Sequence, residues 1–265
     1  MIREYEFFAI EKKQGYAIVY LNKPERRNAM DSSFWFGLSD LMDDINADEE
    51  IKSIIFAGKG KSFSSGLDLE EFFSKYKHIV QGPLGEGREE FYKLISKMQV
   101  GINKVYDSPK PSIAVVQKHC IGGALDLISA CDIRYATKDA KVSLREAKVG
   151  IVADMGSINR LPAIIGQGYT REMAFTGRDY SGDECRDMGL FNRVFETETD
   201  MLAFAEKIAK EISENPSIVI RGVKKVMSYS EGKSLRDGLD FVCVWNSSFM
   251  DSQEFRNIID RFLNR

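Results

Sequence analysis

The feature that most constrains this chain is an alternation. Short runs rich in β-branched and aromatic residues are separated by longer stretches of helical period. Residues 5–12 and 16–22 read as strands joined at Gly15, a predicted hairpin. Residues 32–46 read as a helix capped by Ser32, with Phe34, Leu38, Leu41, Met42 and Ile45 on one face. Strands are predicted at 53–58, at 112–116 after Pro109 and Pro111, at 133–137 and at 191–195. A short buried helix is predicted at 123–130 and a longer one at 88–106. The stretch before it, residues 81–87, holds three glycines and a proline and reads as a mobile loop. Helices follow at 199–213, 217–228 and across 234–262. Alternation of this kind implies an α/β protein, a sheet covered by helices. With 265 residues the chain divides into a body, 1–198, and a helical C-terminal region, 199–265, suited to packing between subunits.

Composition removes several classes of function. Hydrophobic residues make up 43% and charged residues 29%, an ordinary globular balance. The net charge of −3 and the lack of a long basic run argue against a nucleic-acid surface and against a charged membrane face. Cys120, Cys131, Cys185 and Cys243 are scattered, and His78 and His119 are the two histidines, so no clustered metal-ligand set is visible. The N-terminus MIREYEFFAIEKK has no hydrophobic signal core and carries acidic residues, and FLNR is not a peroxisomal tripeptide. A cytoplasmic protein is expected.

Three segments could carry chemistry. GKGKSFSSGLDL (58–69) is a glycine-rich turn after a strand, without the spacing of a Walker or dinucleotide loop. CIGGALD (120–126) opens an apolar helix with two glycines. Amides at such a helix start can bind an anion or a developing oxyanion, while close helix–sheet packing is the plainer explanation. REAKVGIVADMG (145–156) places Glu146 and Asp154 eight residues apart among small and apolar residues. A carboxylate there is costly unless paired or used in proton transfer. No GxSxG elbow accompanies Ser64 and Ser65, so a hydrolase nucleophile is not indicated. His78 and His119 fit surface or satisfied core roles, and Trp245 a core or interface role.

Together with LNKPERRNAM (21–30) and Arg160-Leu161-Pro162, these segments, in this order, resemble the enoyl-CoA hydratase/isomerase (crotonase) superfamily. The resemblance runs from about residue 7 to 255. Within the superfamily the chain most resembles the Δ3,5-Δ2,4-dienoyl-CoA isomerases, because Asp126, Glu146 and Asp154 all match their carboxylates. It departs at Ala124, where a third glycine is commoner, and at Gln117-Lys118-His119, where small residues are usual.

The resemblance implies a spiral of β-β-α repeats with a helical C-terminal region. It implies a shift of double bonds from a 3,5-dienoyl-CoA to a 2,4-dienoyl-CoA, with no cofactor beyond the coenzyme A of the substrate. Glu146 and Asp154 would exchange the two protons and Asp126 would assist. Ser65 and Gly123 would supply the oxyanion amides, and Arg26, Arg27, Ala29, Ser65, Gly66, Leu67, Asp68 and Leu69 would lie along the coenzyme A. The homo-trimer or homo-hexamer common in the superfamily is also expected. The alternatives are an enoyl-CoA hydratase, a Δ3-Δ2-enoyl-CoA isomerase, or a non-catalytic binding protein of the same fold.

Overall fold

The computed structural model describes residues 3–80 and 85–264. The chain begins β1 (Phe8–Lys12), β2 (Gly15–Leu21), α1 (Ser32–Ala47), β3 (Ile51–Gly58), α2 (Leu69–Val80) and α3 (Glu86–Asp107). It continues β4 (Ser112–Val116), β5 (His119–Ile121), α4 (Gly123–Ala130), β6 (Ile133–Thr137), β7 (Lys141–Ser143) and α5 (Ser157–Thr176). The remainder is β8 (Tyr180–Ser181), α6 (Gly182–Asp187), β9 (Arg193–Phe195), α7 (Glu198–Ser213), α8 (Ser217–Ser230), α9 (Leu235–Phe249) and α10 (Gln253–Leu263). Of the loop expected at 81–87, residues 81–84 lie outside the described residues, Gly85 is in a turn, and α3 has begun by Glu86.

The strands form two sheets. One runs β1-β2-β3-β4-β6-β9, with the β1–β2 hairpin antiparallel and the other pairings parallel; the second runs β5-β7-β8. β4 and β5 lie in different sheets and are followed by α4. β6 and β7 repeat that pattern and lead to α5. This is the expected spiral of β-β-α turns, these two turns each adding one strand to each sheet.

The large sheet is buried on both faces, so its strands read as continuous apolar runs. Ala17, Val19 and Leu21 of β2 enter one core; Tyr16, Ile18 and Tyr20 enter the other, the period of two that a strand imposes. The first core is closed by α1, which buries Phe34, Trp35, Leu38, Leu41, Met42 and Ile45, each contributing roughly 1.5–3 kcal/mol. The second is closed by Met201, Ala205 and Ala209 of α7, so the first helix of the C-terminal region covers the sheet. α8–α10 bury little in this chain: Met227 is 67% exposed, Leu235 80% and Leu263 78%. The cap of α1 is not Ser32 but Asp31, whose carboxylate accepts from the amides of Ser33 and Phe34. Among the described residues no helix is long and apolar enough to cross a membrane.

Candidate active site

α4 starts where the chain leaves the small sheet. Gly122 has φ 54° and ψ −118°, a backbone state that side chains resist, and a Cβ there would stand 3.0 Å from Glu146 Oε1. Asp126, in the first turn, is 1% exposed. Its Oδ1 accepts from the Ser157 amide at 2.7 Å. The N-cap position of α5 is Gly156, which has no side chain to offer, so a carboxylate from α4 caps α5 instead.

Glu146 opens a 3-10 turn, Glu146–Val149, and Asp154 sits in the irregular stretch that leads to α5. The three carboxylates form one electrostatic cluster. Burial pushes Glu146 up to about 7 from an ordinary 4.5, with the charges of Asp126 and Asp154 adding to the effect. Burial pushes Asp126 up to about 6 from 3.8, opposed by its contacts with Ser157 and reinforced by Asp154. Asp154 is also raised by burial. The structure thus brings near one another the three carboxylates that the sequence singled out.

Among the described residues, two buried side-chain polar atoms lack a hydrogen-bond partner, Glu146 Oε2 and Ser157 Oγ, and both belong to this cluster. An unsatisfied buried group costs about 1–3 kcal/mol, a cost a binding site recovers when ligand arrives. Glu146 is the carboxylate on the wall of a cavity of about 570 Å³ lined mainly by apolar residues, among them Leu144, Ile151, Ala153, Ile158 and Phe175.

The loop after β3 meets α4 directly. Gly66 has φ 85°, and a side chain there would strike the Ile121 carbonyl oxygen; the Gly123 nitrogen lies just beyond. The amide expected to serve beside Gly123 was that of Ser65, and here the structure corrects the sequence. Ser65 N–H donates to the Arg27 carbonyl at 3.0 Å and is occupied. The Gly66 amide is taken by Ser64 Oγ at 3.1 Å. Among the described residues, neither the Leu67 amide nor the Gly123 amide has an acceptor at this junction. Gly123 is the first residue of α4, so its N–H has no acceptor within the helix. Its missing side chain has a second reason: a Cβ would lie 2.9 Å from the Trp35 ring.

Two residues that sequence reasoning passed over hold this junction. Trp35 Nε1 donates to the Met30 carbonyl at 2.9 Å, and Met30 pairs through its backbone with Gly66 and Asp68. Asn28, fully buried, accepts from the Lys23 amide at 2.8 Å and donates to the carbonyls of Lys59, Ser62 and Phe63 at 2.9–3.0 Å. Asn28→Ala would strand these groups in the interior and is expected to destabilise the protein by roughly 3–5 kcal/mol, read from urea unfolding.

The proposed coenzyme A segments are neighbours. Met30 bridges Leu67, and Arg26 pairs with Asp68 at 3.1 Å and Glu70 at 3.1 Å. Asp68, however, cannot face an anion. Its carboxylate holds Arg26 and caps α2 through the Glu71 amide at 3.1 Å, so it braces the lip. Arg27 is exposed, and among the described residues no carboxylate pairs with it. Ala29 is half-buried, Leu69 is exposed, and both border the same lip.

The histidines lie elsewhere. His78 is on the surface near Glu90, and His119 Nδ1 is 2.9 Å from Ser62 Oγ. Trp245 rests on Gly222 and Phe249 and lines a cavity of about 320 Å³ between α8, α9 and α10, away from the carboxylates. Lys118 takes φ 54°, the left-handed state that a small or glycine residue would suit better.

Known proteins are similar to this chain in sequence and in fold. The family model described as enoyl-CoA hydratase/isomerase matches residues 11–265. The chain is 37% identical over 256 residues to the mitochondrial Delta(3,5)-Delta(2,4)-dienoyl-CoA isomerase of Mus musculus, covering 94% of this chain and 77% of that one. It is 34% identical over 240 residues to the peroxisomal Delta(3,5)-Delta(2,4)-dienoyl-CoA isomerase of Arabidopsis thaliana, covering 90% and 86%. Those names place the relatives in organelles, in contrast to the cytoplasmic expectation here. The crystal structure of an enoyl-CoA hydratase from Bacillus anthracis superposes with a TM-score of 0.87 at 24% identity, covering 98% of this chain and 96% of that one, which speaks to the fold. With its spiral fold, its glycine junction and its match across nearly the whole length, the chain belongs to the enoyl-CoA hydratase/isomerase family.

Proposed function

We propose that this protein is an isomerase that converts a 3,5-dienoyl-CoA to the 2,4-dienoyl-CoA. The observation that carries the reading is a third carboxylate, Asp154, clustered with Asp126 and Glu146 and raised with them by burial. The reaction moves two protons. One carboxylate takes the proton from C2, and the pair of electrons released spreads through the diene onto the thioester oxygen. A second carboxyl group, protonated beforehand, delivers its proton at C6, and the composition of the substrate is unchanged. One group must be ionised while another is neutral, which clustered carboxylates in a dry pocket achieve. Glu146, at about 7, is divided between the two forms near neutral pH. Glu146 and Asp154 exchange the protons. Asp126, fixed on the Ser157 amide, orients them.

The amides of Leu67 and Gly123 receive the oxyanion, and each such donor is worth roughly 3–4 kcal/mol in a transition state. Arg27 is the cation best placed for a coenzyme A phosphate, since Arg26 already holds two carboxylates. No cofactor is required for two proton transfers. The apolar residues that α8–α10 leave exposed support a homo-trimer or homo-hexamer, in which a second copy covers them.

The test is to give the purified protein a 3,5-dienoyl-CoA and follow the ultraviolet band of the conjugated 2,4-dienoyl thioester, beside a 2-enoyl-CoA as a hydration substrate. The expected result is isomerisation with little hydration. Hydration without isomerisation would make the protein a hydratase in which Asp154 is structural.

A further inference from the structure

The site's third carboxylate rides on an irregular part of the chain. Between the turn at Glu146–Val149 and the start of α5, residues 150–156 form no helix and no strand. Their backbone is tied to the rest of the molecule at few points. The Ile151 amide donates back to Glu146 at 3.1 Å, and Arg160 Nη1 donates to the Met155 carbonyl at 3.2 Å while its other terminus reaches Asn103 at 2.5 Å. The contact on Asp154 itself comes from α3. Gln99 Nε2 donates to the Asp154 carbonyl oxygen at 2.6 Å, across 55 residues of sequence.

Resting on the isomerase reading above, we propose that Gln99 is a positioning residue: its bond to the Asp154 main chain holds that carboxyl group against the substrate. It touches neither substrate nor reacting atoms. Backbone φ and ψ at Asp154 set where its short side chain points, and a side chain with only two rotatable bonds has little reach with which to compensate for a main chain that swings. A neutral amide suits this role, because a cation at the same place would draw the carboxylate towards itself and hold it ionised. A displacement of about 1 Å of a reacting group can cost a hundredfold in rate.

Gln99→Met keeps the length of the side chain and removes the donor. The expected result is a fall in kcat of about tenfold to a hundredfold, with KM within about threefold and the thermal midpoint little changed. In the Asp154→Asn background the same substitution should have little further effect, since groups that act through one another are non-additive. A second readout needs no turnover. Carbon-13 titration of the aspartate carboxyls, with Asp154 assigned by its loss in Asp154→Asn, should place it above the usual carboxylate range in the wild type and nearer that range in Gln99→Met. An equal loss of kcat in both backgrounds, or an unmoved Asp154 titration, would overturn the proposal. A wild type that does not isomerise would instead remove the isomerase reading, and the titration would still decide the role of Gln99.

Discussion

Glu146→Gln is expected to abolish most of the activity and to make the protein more stable above neutral pH. Both effects have one source. Burial, with Asp126 and Asp154 nearby, lifts the Glu146 carboxyl to about 7. That makes it a competent proton carrier near neutrality, and general acid–base catalysis of this kind contributes about 10²–10⁴-fold. A carboxamide neither gives nor takes the proton, so kcat should fall by that factor. Affinity for a saturated acyl-CoA should stay within about threefold of wild type. Asp154→Asn should lose rate in the same range.

The stability effect follows from proton linkage. Below pH 4.5 Glu146 is protonated in both the folded and unfolded chain and costs nothing. Between about 4.5 and 7 the unfolded chain gives up the proton first, so the wild type loses stability as pH rises. Above about 7 the full penalty is present. The neutral variant carries none of it and should gain on the order of 1–3 kcal/mol at pH 8, with the two proteins converging below about pH 4.5. Urea unfolding at both pH values reads this out. A variant that isomerises at the wild-type rate would remove Glu146 from the mechanism, whatever its stability.

Much of this architecture was legible in the chain because it rests on local patterns. β4, α4 and β6 fall at the bounds predicted for them: β4 is an apolar run between Pro111 and Gln117, α4 follows the glycine pair and is mostly apolar, and β6 is a short run rich in β-branched and aromatic residues that stops at Lys138. The short strands β5, β7 and β8 were not legible. Two or three residues carry no period, and they are strands only because the sheet pairs them. α5 escaped for another reason: Pro162 lies inside it and Gly166 breaks its helical backbone at φ 78°. At the site, Asp126, Glu146 and Asp154 were visible as carboxylates in apolar surroundings. Asn28, Trp35 and Gln99 were not, because each acts through hydrogen bonds to main-chain groups, some of them distant in sequence. The Ser65 amide was misassigned for the same reason. Whether a backbone N–H is free depends on its acceptor, and the acceptor here, the Arg27 carbonyl, lies 38 residues earlier, from 65 − 27.

That free amides rather than merely small residues define the junction can be tested at Gly123, where two variants separate the alternatives. Gly123→Ala and Gly123→Pro both add a Cβ that must be accommodated against Trp35, 2.9 Å away, and Met30 Sδ, 3.1 Å away. Only proline also removes the N–H. Proline is tolerated at the first position of a helix, where its fixed φ suits the turn and no intrahelical bond is lost, and Gly123 occupies that position in α4. The packing cost should therefore be shared, and the difference between the variants reports the donor. Gly123→Ala is expected to keep kcat within about tenfold of wild type, and Gly123→Pro to lose roughly a further 10²–10³-fold, the usual loss on removing one oxyanion donor. Thermal unfolding of the two variants should agree within a few degrees. Equal rates in the two would mean that Gly123 is needed for its contact with Trp35 alone, and the oxyanion would then have to be held from the Leu67 side of the junction.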